Sequence, residues 1–425
     1  MFFFGSTVTN QSFLPNFNTP ISDLISDTID ANRVEFTEFE IEDADNLNIV
    51  DSFVDFSRQG IRVQFNASGR FTNAGPDGVN AAIFTFEDNI IRNARLIPEE
   101  STFDIPEEFI SFTSNTVTYD VNNLPLSSGE FFTIRLDLQL IGGDGIDVIT
   151  SGVGDDLISG GAGGDILNGD DGIDTLTYAA SDAGVVVNLF NGFARGGEAT
   201  GDVFTNFENL TGSRSTDVLR GDVGENEIFG FDGNDRIEGR EGNDVLIGGS
   251  GNDLLLGGSG NDRLIASSGD NRLNGQSGND TLIGGTGADR LLGAAGDDLL
   301  IASGGVNNVL DGGSGSDILN GSEQRDIIRG QAGADIFDGG GGNDALTGGF
   351  GPDTFIFNAN DGGDVINDFE DNFDTIDLSS LGTDFASLTL SIIGGDDALI
   401  DYGSGSIRLR DFDVNDLDTG DFDFA

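Results

Sequence analysis

Residues 239–265 read Gly-Arg-Glu-Gly-Asn-Asp-Val-Leu-Ile, then Gly-Gly-Ser-Gly-Asn-Asp-Leu-Leu-Leu, then Gly-Gly-Ser-Gly-Asn-Asp-Arg-Leu-Ile. The three nine-residue units share Gly at positions 1 and 4, Asp at position 6 and an apolar residue at position 8. So short a period confines the chain to a repeat architecture. No unit can bury its apolar side chain alone, and stacked neighbours build a continuous core. The position-8 residue belongs to a short strand and points inward, while positions 7 and 9 face out. Glycine at positions 1, 2 and 4 predicts tight turns through positive φ.

The period divides the chain. A first repeat block spans 139–177, its units starting at Gly142, with Asp147, Asp156, Asp165 and Asp174 at position 6 and Ile149, Ile158, Leu167 and Leu176 at position 8. Residues 178–211 break it; 34 residues is not a multiple of nine, so they read as a strand-bearing insertion. A second block spans 212–356 in sixteen units, ten of nine residues over 212–301, one of ten over 302–311 and five of nine thereafter. The extra residue predicts a bulge near Asp311. Residues 357–425 lose the glycines but keep strand-like runs such as Ala398-Leu399-Ile400, as expected of a β-rich cap over the open end of a solenoid.

Ahead of the repeats, residues 1–30 read as a flexible polar arm. Residues 31–138 carry short alternating runs, among them Ile61-Arg62-Val63-Gln64-Phe65 and Phe131-Phe132-Thr133-Ile134, separated by Gly, Asn and Pro. That pattern predicts an antiparallel β-sandwich. Its acidic groups, Glu38, Glu40 and Glu42, Glu99 with Glu100, and Glu107 with Glu108, fit solvated strand faces and loops; paired carboxylates for glycoside chemistry are the sharper alternative. The whole reads as an all-β chain: a parallel solenoid in two blocks, a sandwich before it and a cap behind it.

Composition then excludes chemistry. The chain of 425 residues has 75 acidic against 19 basic residues, all of them Arg, for a net charge of −56. Nucleic acid and anionic membrane would be repelled. With no His and no Cys, His-based triads, the usual zinc sites, thiol chemistry and disulfides are out. No run is apolar enough to span a bilayer, and the opening Met1-Phe2-Phe3-Phe4 lacks the features of a cleaved secretory signal.

What remains is a cation site. A carboxylate at position 6, beside a turn that aims several carbonyls inward, is an oxygen-only ligand set. It suits Ca²⁺, which takes six to eight oxygens, better than Zn²⁺ or Cu²⁺; Mg²⁺ demands tighter geometry and keeps its waters. A metal-free solenoid or glycine-rich linker would need no periodic Asp.

The pattern Gly-Gly-x-Gly-x-Asp-x-apolar-x resembles the RTX, or hemolysin-type, calcium-binding repeat. The resemblance covers 142–177 and 212–356 directly and 357–425 more weakly. It implies a parallel β-roll with two units per turn and calcium between stacked loops on each face. Alternate units then belong to opposite faces. One face takes Asn226, Asp244, Asp262, Asp280, Asp298, Asp317, Asp335 and Asp353. The other takes Asp217, Asp235, Asp253, Asn271, Asp289, Asn307, Asp326 and Asp344. Loops on the second face are worn, so an almost unbroken calcium row is expected on the first and a gapped one on the second, with Arg325 filling a gap.

The resemblance also implies export by type I secretion machinery that reads an uncleaved C-terminal signal, here ending Asp421-Phe422-Asp423-Phe424; the alternative is that this is the last strand of the cap. Folding would follow outside the cell, on calcium. The favoured reading is a secreted surface, matrix or adhesive protein without enzymatic activity, whose sandwich contacts a cell-surface or polysaccharide partner. A secreted polysaccharide-modifying enzyme working through N-terminal carboxylates is the alternative. A pore-forming toxin fits worst, because the family's toxins are acylated on Lys.

Overall fold

In the computed structural model, the backbone is described for nine strands between Ser52 and Ile141 and for residues 142–424 throughout, with side chains from Gln139 onward except Val153. The arm at 1–30 and the acidic groups at 38–42, 99–100 and 107–108 lie outside the described residues. The chain forms two compact units, Met1–Thr177 with Glu198–Phe207, and Tyr178–Gly197 with Glu208–Ala425.

In the first unit, Gly60–Phe65 pairs antiparallel with Ser52–Ser57 and with Phe131–Ile141, which also takes Ile91–Leu96. A separate antiparallel sheet joins Ala81–Thr85, Thr116–Asp120 and Ile110–Thr113. Phe131–Ile141 changes partner along its length. It is antiparallel to Ile91–Leu96 as far as Leu138, and from Gln139 it is parallel to Leu157–Ser159. Thus one strand ends the antiparallel region and begins the roll.

The second unit shows why a nine-residue unit needs its neighbours. Successive units alternate between two parallel sheets, so each strand pairs with the strand two units on. Val245–Ile247 pairs with Arg263–Ile265, and Leu254–Ser259 pairs with Arg272–Ser277. Position 8 faces the interior in both sheets; Leu246, Leu255, Leu264 and Leu282 are fully buried. At about 1.5–3 kcal/mol for each buried Leu, this stacked row is the main apolar contribution to the roll. Toward its C-terminal end the row becomes aromatic, with Phe337 stacked on Phe355 at 4.8 Å.

The repeat-breaking stretches join the same ladders. From 178–211, Val203–Thr205 pairs parallel with Ile166–Asp171 in the first unit, and Val186–Asn188 pairs with Val218–Arg220 in the second. Phe204 and Val187 take the buried apolar places. Beyond residue 356, Gly363–Ile366 and Ser406–Leu409 extend one sheet, and Thr375–Asp377 and Phe422–Asp423 the other. An antiparallel hairpin, Thr389–Ile393 with Asp397–Asp401, closes against Ser406–Leu409. Phe422 is buried as a final rung.

The extra residue of the ten-residue unit is not a bulge near Asp311. Val309–Ser314 pairs regularly with Arg290–Ala295. The residue is absorbed one step earlier, in the loop before Asn308, where Ser303, Gly305 and Asn307 all have positive φ. A loop can take up length without breaking the ladder, whereas an unpaired strand residue would leave backbone groups unsatisfied.

Candidate metal centre

The position-6 side chains form a continuous relay along each face. The backbone N–H of Asp244 donates to Oδ1 of Asp262 at 2.8 Å, Asp262 to Asp280 at 2.8 Å, and Asp280 to Asp298 at 2.7 Å, each 18 residues on. The relay continues through Asp317, Asp335 and Asp353. On the other face Asp217, Asp235, Asp253, Asn271 and Asp289 are linked in the same way. The next member is Asn308, not Asn307: Asp289 N–H donates to Asn308 Oδ1, and Asn308 N–H to Asp326 Oδ1. That corrects the sequence reading, and the displaced extra residue is the reason. Asp326 then leads to Asp344.

The first block repeats the arrangement. Asp147 N–H donates to Asp165, and Asp156 N–H to Asp174. Asp156, Asp165 and Asp174 are buried, whereas Asp147 is half-buried and its Oδ2 accepts the Gly143 N–H.

Only one carboxylate oxygen is used in the relay. The other, Oδ2, is buried without a hydrogen-bond partner at Asp165, Asp235, Asp244, Asp253, Asp262, Asp280, Asp289, Asp298, Asp317, Asp335, Asp344 and Asp353. It points at the position-1 glycine of its own unit. A methyl group on Gly239 would lie 2.2 Å from Asp244 Oδ2 and 2.8 Å from the Gly257 carbonyl oxygen; on Gly230, 2.5 Å from Asp235 Oδ2 and 2.6 Å from Gly248 O. Glycine at position 1 therefore keeps open a space lined by oxygens. It is not there for positive φ, which instead belongs to positions 2 and 4, as at Gly258 and Gly260 (both 129°). Position 2 even tolerates side chains at positive φ, as Arg240 and Gln276 show.

Burial without a counter-charge disfavours ionisation. Desolvation pushes Asp244, Asp280, Asp298, Asp317 and Asp353 up to about 7, Asp344 to about 8 and Asp289 to about 6, against the relay hydrogen bond that lowers each. Asp235 rises to about 7 for the same reason, with the Asp217 and Asp253 carboxylates adding to it. Rows of half-satisfied buried carboxylates facing carbonyl oxygens are an oxygen-only donor set for a divalent cation. Calcium fits it.

A profile of the RTX calcium-binding nonapeptide repeat matches residues 141–176 and, in overlapping segments, 211–246, 229–264, 247–282, 265–300, 274–309, 303–328 and 320–355. These segments are RTX repeats. RTX repeats bind multiple calcium ions. Among solved structures, the chain is similar to the AlgE6R2 and AlgE6R3 subunits of the Azotobacter vinelandii mannuronan C5-epimerase. The first is 28% identical over 28% of this chain and 89% of that one, with a TM-score of 0.23. The second is 29% identical over 32% and 81%, with a TM-score of 0.21. The extracellular lipase LipA from Serratia marcescens is 16% identical over 52% of this chain, with a TM-score of 0.19, and the chain spans 40% of its length. No curated protein matches the chain.

Two features of the RTX loops escaped the sequence reading. Position 5 forms a second relay in the opposite direction: Asn261 N–H donates to Asn243 Oδ1 and Asn279 N–H to Asn261 Oδ1, both at 2.8 Å. The signal was the Asn at position 5 in all three opening units. The position-6 relay also outlives the repeat. Asp344 N–H donates to Asp364 and Asp353 N–H to Asp374, at spacings of 20 and 21 residues that no nine-residue period reveals.

Arg325 does not fill a gap. It is exposed, and Asp326 Oδ2 is instead held by the Ser322 N–H at 2.7 Å and hydroxyl at 2.8 Å. A separate carboxylate group, Asp396, Asp397 and Asp411, lies near the closing hairpin. There Asp397 already accepts the Asp411 N–H and pairs with Arg408, which hold its carboxyl below the usual range.

Proposed function

We propose that this is a secreted protein whose RTX roll folds when calcium enters the oxygen-lined spaces of the position-6 rows, and that it serves outside the cell as a surface, matrix or adhesive protein without enzymatic activity. The observation that carries the calcium part is the run of buried Oδ2 atoms from Asp244 to Asp353 with no donor. A buried charged carboxylate with one oxygen unpartnered and no cation beside it is costly. A row of them is tolerable only when protonated or metal-bound, so calcium binding supplies folding free energy. Extracellular fluid, where calcium is plentiful, is where such a chain would fold. Type I export of an unfolded chain suits that sequence of events.

In this proposal a cell-surface or polysaccharide partner binds the N-terminal antiparallel region, which lies outside the rows. The absence of His, Cys and Lys from the sequence supports a structural over a catalytic role. Among the described residues no helix is long and apolar enough to cross a membrane. Fractionation of producing cells tests location: recovery of the protein only from the cytoplasm would overturn secretion. Screening the calcium-loaded full chain against polysaccharides tests the rest, since turnover would favour an enzyme and binding without turnover an adhesin.

A further inference from the structure

The second face contains rungs that supply their own substitute for a cation. At Asp217 and Asp326, a serine stands at position 2. The Ser213 N–H donates to Asp217 Oδ2 at 2.6 Å and its hydroxyl to Oδ1 at 2.9 Å, and Ser322 holds Asp326 Oδ2 with both groups. Neither carboxylate is left with a buried, unpartnered oxygen.

At Asn271 and Asn308 the device is different. The position-6 carboxylate is replaced by an amide whose Nδ2 carries protons. Asn271 Nδ2 donates to Gly284 O at 3.3 Å, the position-1 carbonyl of the next rung, and to Gly269 O at 2.9 Å. Gly284 O is the counterpart of Gly257 O, which faces the open space at Gly239. Asn308 Nδ2 donates to Asp326 Oδ1 at 2.9 Å and Gly304 O at 3.0 Å. The same two rungs replace the position-1 glycine with Ala266 and Ala302, both buried. Charge and space are thus removed together, by two substitutions within one unit.

We propose that the rungs of Asp217, Asn271, Asn308 and Asp326 hold no metal and are closed by these hydroxyls, amides and methyl groups. The inference rests on the calcium reading above. Its consequence is an asymmetric roll. The first face loads without interruption from Asp244 to Asp353, whereas the second loads in short separated runs: Asp235 with Asp253, then Asp289, then Asp344. As calcium is lowered, the isolated ions of the second face leave before those of the long row.

Counting bound calcium on the intact, calcium-saturated chain by elemental analysis tests this. Asp244→Asn should lose bound calcium, Asp326→Asn should keep the wild-type count, and the double variant Ala266→Gly with Asn271→Asp should bind an additional ion. A drop for Asp326→Asn matching that for Asp244→Asn would overturn the proposal, as would a double variant with wild-type strand signal and no added ion. If the double variant fails to fold, the Asp326→Asn count decides. Wild-type protein that binds no calcium would instead defeat the calcium reading itself.

Discussion

The Asp244 N–H donates to Oδ1 of Asp262 at 2.8 Å, while Asp262 Oδ2 stays buried without a donor. Each carboxylate thus uses one oxygen to join the rungs, and the other is the oxygen proposed above to meet calcium. Asp262→Asn keeps an acceptor for the Asp244 N–H but removes the charge. The variant should fold in saturating calcium with a lower melting temperature. An ion lost at a hundredfold excess over its dissociation constant is worth roughly 2.7 kcal/mol. Calorimetry with and without calcium checks this, and in chelator the two proteins should differ little.

Gly257 and Gly260 sit three residues apart with different duties. A methyl at Gly257 would meet Asp262 Oδ2 at 2.3 Å, inside the cation space. At Gly260 it would meet Gly242 O at 1.9 Å, at a φ of 129°. Gly257→Ala should therefore weaken calcium binding in a titration, while Gly260→Ala should destabilise the roll by about 1–3 kcal/mol or more even in saturating calcium.

Without metal, pH should act in the unusual direction. The folded carboxyls of Asp244, Asp280, Asp298 and Asp353 lie near 7, above the ordinary value of 3.8. Between those values the folded state binds more protons than the unfolded one. Its stability is therefore greatest below about 3.8 and is lost as pH rises through about 7. In chelator, strand content should be higher at about pH 5 than at about pH 8. In calcium the order should reverse, because protons compete for the same oxygens.

Leu264 is fully buried in the position-8 row. Leu264→Ala should cost about 2–5 kcal/mol, as large-to-small core changes do. Thermal unfolding in saturating calcium measures it, and the ion count should stay unchanged.

The repeat made the roll legible because position 8 and position 6 each have one job at one spacing. Leu246 and Asp244 could be placed from residue type alone. What escaped was whatever depends on the path of the loop or on the neighbouring rung. Residue type alone does not tell that Ala266 is buried at position 1, or that Ser322, four residues away in the same unit, rather than Arg325 satisfies Asp326. Asn307 and Asn308 are adjacent amides, and only the path of the loop decides which joins the relay. Asp364 and Asp374 were hidden because the ladder conserves register in space while the chain between rungs lengthens.

Calcium and the fold of the roll are expected to arrive together. Far-ultraviolet circular dichroism of the full chain at about pH 8, titrated from excess chelator into calcium, tests it most directly. Little strand signal is expected in chelator, with a cooperative rise as calcium is added. A strand signal already complete in chelator, unchanged by calcium, would contradict it.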